Sequence, residues 1–115
     1  MIENLPVITD DFMKENMTKT KSYCSVILKA GPNIQIPGVE KIIWEHGRRN
    51  FALREAGLLN IVCPIKDGTE VCGIGIFNTS PEKLKEIMDG DPGVQQGVFV
   101  YEIHPVRSFP GDKLA

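Results

Sequence analysis

The chain has 115 residues, of which 42% are hydrophobic and 24% charged, and a formal net charge of -2. That length suits one domain around one core. The near-neutral balance argues against a nucleic-acid partner, since the one basic cluster, Arg48 and Arg49, is too small to track phosphates and no aromatic-rich strand accompanies it.

Residues 1–21 read as an N-terminal extension with a short helical segment at Asp10 to Met17. They lack the basic start and apolar core of a signal peptide, and no later run has the length of a membrane span, so no membrane partner and a cytoplasmic location are expected. Ser22 to Ala30 alternates and is rich in β-formers, which predicts a strand. Gly31-Pro32 and Pro37-Gly38 punctuate the loop that follows, and a helix is expected from Val39 to Ala56, stopped by Gly57. Leu58 to Pro64 reads as a short apolar strand, and Lys66-Asp67-Gly68-Thr69 as a hairpin turn into a strand over Glu70 to Phe77.

The second half repeats the scheme at shorter length. Thr79-Ser80-Pro81-Glu82 is a helix start with a hydroxyl cap, an early proline and an acid in the first turn. Leu84, Ile87 and Met88 then face inward, Gly90 and Pro92 end the helix, and Val98 to His104 is the last strand. Cys24, Cys63 and Cys72 are odd in number, lack CxxC spacing and lie in apolar runs, which suits buried thiols in a reducing compartment and no metal site.

Two β-α-β halves in series predict an α+β, ferredoxin-like β-α-β-β-α-β domain over residues 22–107, with residues 108–115 as a tail. Its antiparallel four-stranded sheet would carry two helices on one face. The other face needs cover, because Cys24, Val26, Leu28, Ile74, Ile76 and Tyr101 provide more apolar strand surface than one pair of helices can bury, and a second copy of the chain stacking its sheet on this one would supply it as a two-fold homodimer.

His46 is the residue that needs explaining. On a 100° wheel it shares a stripe with Val39, Ile42, Ile43, Asn50 and Leu53, which places a titratable ring on the face turned to the sheet. Such a ring is either a core histidine with a satisfied partner or an acid-base group beside a cleft. Asp91, before Pro92, is either an Asx-type turn residue or a carboxylate turned to the core edge. Arg49 borders the apolar stripe and is the better placed of the two arginines to hold a substrate carboxylate, while Arg48 points away. His104 and Arg107, near the end of the last strand, stand open between the same pocket and a partner chain. Trp44 and Phe51, on the other side of the helix, read as packing surface for the extension or a partner. Gly73-Ile74-Gly75 lies inside a strand with no following helix, so it is no phosphate cradle.

Two elements together resemble the YCII-related (YciI-like) family of dimeric α+β barrel proteins. One is the helix histidine followed by a helix-ending glycine and a proline, His46, Gly57 and Pro64. The other is Asp91-Pro92-Gly93-Val94-Gln95-Gln96-Gly97, leading into a strand that ends near Pro105. The match covers Tyr23 to Arg107. The resemblance implies a dimeric ferredoxin-like fold with His46 and Asp91 as an acid-base dyad in a pocket between helix and sheet. One branch of the family looks like lyases that eliminate chloride from a chlorinated muconate-type acid, and related barrels include muconolactone isomerases. The chain departs from the pattern in its N-terminal extension and in Cys63 before Pro64.

The resulting expectation is a cofactor-independent lyase or isomerase that moves protons on a small, anionic organic molecule, with His46 and Asp91 catalytic, Arg49 binding substrate and no metal. The alternative is a non-catalytic dimeric module for a small ligand or a protein partner, in which His46 and Asp91 form a structural hydrogen bond.

Overall fold

The computed structural model describes residues 4–115; residues 1–3 of the N-terminal extension lie outside the described residues. A helix α1 (Asp10–Met17) leads into β1 (Lys21–Ala30), α2 (Val39–Glu55), β2 (Leu59–Pro64), β3 (Val71–Phe77), α3 (Pro81–Asp89), a single turn α4 (Pro92–Gln95) and β4 (Phe99–Ser108). The four strands form one antiparallel sheet in the order β2-β3-β1-β4. The ferredoxin-like α+β fold is therefore present, with α2 and α3 as its two crossover helices. No helix among the described residues is long and apolar enough to cross a membrane.

The element ends follow local chemistry. Gly57, at φ 78°, stops α2, and Leu58 N–H donates back to the Leu53 carbonyl at 3.0 Å, satisfying the last turn of the helix. Asp67 Oδ1 accepts from the Thr69 amide at 3.1 Å and from its hydroxyl at 2.7 Å, closing the β2–β3 turn around Gly68 at φ 82°. Ser80 Oγ accepts from Lys83 N–H at 3.2 Å, capping α3. Leu84, Ile87 and Met88 are the buried face of that helix.

Register separates the two faces of the sheet. Cys24 pairs with Phe77, Val26 with Gly75 and Leu28 with Gly73, and these positions face the helices together with Ile103, Tyr101 and Phe99 of β4. The opposite face carries Ile27, Ile61, Ile74, Ile76 and Val100, with Lys29 paired to Glu102 and Glu102 to His104 across it. Of the six residues that make up the apolar strand surface, Cys24, Val26, Leu28 and Tyr101 belong to the helix side, and Ile74 and Ile76 to the opposite face. Tyr101 is held there because its hydroxyl donates to Asp89 Oδ1 at 2.5 Å at the end of α3.

Three expectations about boundaries and burial are corrected. β4 runs on to Ser108 because it is an edge strand paired only with β1, where Pro105 opposes Cys24 without depriving an inner ladder of a donor. The helix end at Gly90 is followed by the extra turn α4, which Asp91 caps with Pro92 in its first position. Cys63 is exposed rather than buried; only Cys24 is fully enclosed and Cys72 is intermediate.

Helix α2 has no fully buried residue, and Ile43, expected on its inner stripe, is 39% exposed. The cause lies in the strand beneath. Gly73 and Gly75 occupy the two helix-facing positions of β3 before Phe77, so the sheet offers no side chains there for α2 to pack on. The helix stands off, and a cavity opens between them.

Candidate functional site

That cavity has a volume of about 450 Å³. Val26 and Leu28 of β1, Leu59 of β2 and the glycines of β3 form its floor, and Ile43, His46, Gly47 and Asn50 of α2 form its roof. The walls are largely apolar. His46 and Asn50 are the polar groups of the roof, and Lys66 of the β2–β3 turn stands at the rim.

Asp91 is the anchor of the site. It is 1% exposed, the most deeply buried charged residue among those described. A buried carboxylate needs several donors, and Asp91 has them. Its Oδ2 accepts from Gly93 N–H at 2.9 Å and Val94 N–H at 3.2 Å, and both oxygens lie 2.9 Å from His46 Nδ1. One side chain thus both caps the α4 turn and meets the His46 ring.

The contact assigns the tautomer of His46. A carboxylate only accepts, so Nδ1 carries the proton and donates it to Asp91. Nε2 is then unprotonated, and the Asn50 amide Nδ2 lies 3.3 Å from it, a long contact that a substrate must displace before Nε2 can take a proton. Phe99 fixes the ring from the side, with centroids 4.7 Å apart and planes at 49°. His46 is therefore held by Asp91 at one nitrogen and presents the other to the cavity. The arrangement can accept a proton at Nε2, while Asp91 stabilises the imidazolium that results.

Arg49 is placed elsewhere. Its Nη1 donates to the Ile87 carbonyl at 2.6 Å and lies 4.0 Å from Asp91 Oδ1. It thereby ties α2 to the end of α3, and it is absent from the cavity lining, where the cation is Lys66. Asn50 and Lys66 are the residues that sequence reasoning passed over. Asn50 shared the stripe with His46 one turn on, a legible signal for a ring-nitrogen partner; Lys66 lay in a turn whose position over the cavity depends on the fold.

Cys63 and Cys72 line the same cavity, but neither thiol is hydrogen-bonded to His46 or Asp91. Burial pushes the Cys72 thiol above its ordinary value, which disfavours the thiolate a nucleophile needs. His104 lies on the opposite face of the sheet, 3.1 Å from Glu102, and Arg107 binds Thr20 and Ser22 at the base of the N-terminal arm. Neither lines the cavity.

No family model matches the chain, and neither does any curated protein. Among solved structures, 5-chloro-2-hydroxyhydroquinone dehydrochlorinase from Burkholderia phenoliruptrix AC1100, in complex with 2,5-dihydroxybenzoquinone, is similar at 15% identity and a TM-score of 0.47, over 70% of this chain and 90% of that one. The ferredoxin-like assignment stands on the strand order and register of this chain itself.

Proposed function

We propose that the protein is a cofactor-independent lyase or isomerase that moves a proton on a small, largely apolar organic acid, with His46 as the acid-base group and Asp91 as its orienting partner. The observation that carries this reading is the 2.9 Å contact between His46 Nδ1 and a buried carboxylate, which leaves Nε2 turned to a cavity of about 450 Å³. In the chemical step Nε2 takes a proton from carbon, and the C–H electron pair forms a new C=C bond. In an elimination the neighbouring C–X pair departs with the leaving group as that bond forms; in an isomerisation the pair of an adjacent C=C bond shifts and takes the proton back from the imidazolium at the far carbon. The apolar walls suit a ring or diene skeleton, and Lys66 at the rim suits an anionic group. Arg49 is assigned a positioning role behind Asp91 rather than a substrate contact. The working unit is a homodimer formed through the sheet face that carries Ile27, Ile61, Ile74, Ile76 and Val100.

The non-catalytic reading has one observation of its own, that Asp91 also caps α4. Deuterium exchange separates the two. Cyclic unsaturated and hydroxylated carboxylic acids that raise the melting temperature are incubated with the protein in D2O, and loss of carbon-bound protons is followed by 1H NMR. Wild type should exchange a proton of at least one binding acid, and His46→Gln should bind it but exchange at the uncatalysed rate. Equal rates with and without protein for every bound acid would leave only the binding module.

A further inference from the structure

The first part of the chain is built as an arm. Leu5, Val7, Ile8, Phe12, Met13 and Met17 are all exposed, Val7 at 93%, and α1 has no buried residue. The radius of gyration is 17.2 Å and the longest extent 56 Å, against about 13 to 14 Å expected for a compact domain of this length. A helix of eight residues does not hold itself together in water, yet this one is well capped, with Thr9 Oγ1 accepting from Phe12 N–H at 3.1 Å. On the wheel Phe12, Met13 and Met17 share one side and Asp11 and Glu15 the other, with Asp10 beside Met17.

The base of the arm is fixed. Arg107 donates to the Thr20 hydroxyl at 3.1 and 2.8 Å, to the Thr20 carbonyl at 3.3 Å and to Ser22 Oγ at 3.3 Å. Thr18 ends α1 with its hydroxyl on the Glu15 carbonyl at 2.6 Å. The clamp lies at the Lys21 end of β1, beside Asn78 and Ser108, whereas the cavity opens at the other end, where Leu28 meets Gly73. The arm is thus rooted at the end of the sheet away from Gly73 and the β2–β3 turn side of its own cavity.

A matching surface lies on α2. Trp44 is 70% and Phe51 63% exposed, and with Ile43 and Gly47 they continue the apolar wall of the cavity outward around the helix. Gly47 sits between the two aromatics, three residues after Trp44 and four before Phe51. Glycine is disfavoured in a helix interior, and a Cβ at Gly47 would meet nothing within 4 Å, so the fold of the single chain does not require it. It leaves a notch that a side chain from outside can enter. Exposed Lys41 and Arg48 flank the Trp44 side of the stripe, toward the acidic side of α1, while Glu40 and Arg54 lie within the stripe and Arg54 stands over the Phe51 ring.

We propose that the arm is exchanged between two copies of this chain: residues 5–17 of one protomer lie on α2 of the other, along Ile43, Gly47, Phe51 and Trp44, and cover the open side of the His46 cavity. Two-fold symmetry makes the exchange reciprocal. A dimer joined through its sheets places the helix layers outermost, where an arm leaving the end of one sheet reaches the helix of the other. Each cavity is then completed by the partner, whatever chemistry His46 performs.

Trp44 is the single tryptophan of the chain and reports on this contact. In the full-length protein its emission should be shielded from iodide quenching. Phe12→Ser with Met13→Ser on the arm, and separately Phe51→Ser on the receiving helix, should each raise the quenching constant several-fold with unchanged circular dichroism, since all three side chains are exposed. The two variants, co-expressed with different tags and purified as a mixed pair, should regain protection at up to half of their tryptophans, because one intact arm then meets one intact α2. A fully accessible Trp44 in wild type, failure of the two chains to co-purify, or a mixed pair as quenchable as its parents would each overturn the proposal; the last outcome would place the arm on its own chain.

Discussion

Asp91→Asn should leave a folded protein whose proton-exchange rate is lower by a factor on the order of 10² to 10⁴. The reason is a forced change of tautomer. Gly93 and Val94 both present N–H groups to Asp91 Oδ2, so the amide oxygen of an asparagine must take that side. Its NH2 then faces His46 Nδ1, which has to become an acceptor, and the ring proton moves to Nε2. A base that already carries a proton on the cavity side cannot take another without losing its hydrogen bond behind. Stability should change by only about 1 kcal/mol, because the Gly93 and Val94 N–H groups keep their acceptor and the Asn50 amide can turn its oxygen to the new Nε2–H. Asp91→Ala is the contrasting case: it strands two backbone N–H groups and the imidazole N–H, and should cost about 3 kcal/mol. Denaturant melts of the three proteins, with 15N–1H correlation of the imidazole to locate the proton, would check both halves. An Asp91→Asn protein that exchanges substrate protons at the wild-type rate would remove Asp91 from the mechanism.

The extent to which this site could be read in advance follows from what kind of information each part needs. The strands, both crossover helices and the α1 segment are local matters of period and punctuation. The glycine that stops α2 and the hydroxyl that caps α3 are where the sequence places them. His46 was conspicuous because a polar ring broke an apolar period, whereas Asp91 drew notice through the Asp91-Pro92 element of the family resemblance, local chemistry alone reading it as a turn residue. That the two meet is a long-range fact: 45 residues separate them, and it takes the packing of α2 against α4 to join them. The role of Gly73 and Gly75 was equally hidden. In the sequence they read as a bulge or a close approach within a strand; only the register, which turns them toward α2, shows that they make room. Arg49 was misplaced for a related reason. The wheel gives the angle of a side chain about the helix but not what stands opposite, and opposite Arg49 stands the carbonyl of Ile87 at the end of α3.

Gly93→Ala should couple the same long-range geometry to stability. Its Cβ would lie 2.5 Å from Phe99 Cδ2 and 3.0 Å from Asp91 Oδ2, inside contact distance for both. Phe99 is 6% exposed and belongs to the core, so its ring has little space to retreat. The retreat would also disturb the tilted stacking of Phe99 on His46 and the short bond from Gly93 N–H to Asp91. Overpacking of this kind costs about 2 to 3 kcal/mol, which for a domain of this size lowers the melting temperature by roughly 10 °C. Activity should fall further than stability alone explains, since at temperatures where the variant is fully folded the imidazole would still be tilted from its working position. Thermal melts followed by exchange assays well below the transition separate the two effects. A Gly93→Ala protein with wild-type melting would mean that α4 can yield without disturbing Phe99. One that melts early but exchanges protons normally when folded would show that the His46 ring is held by Asp91 alone.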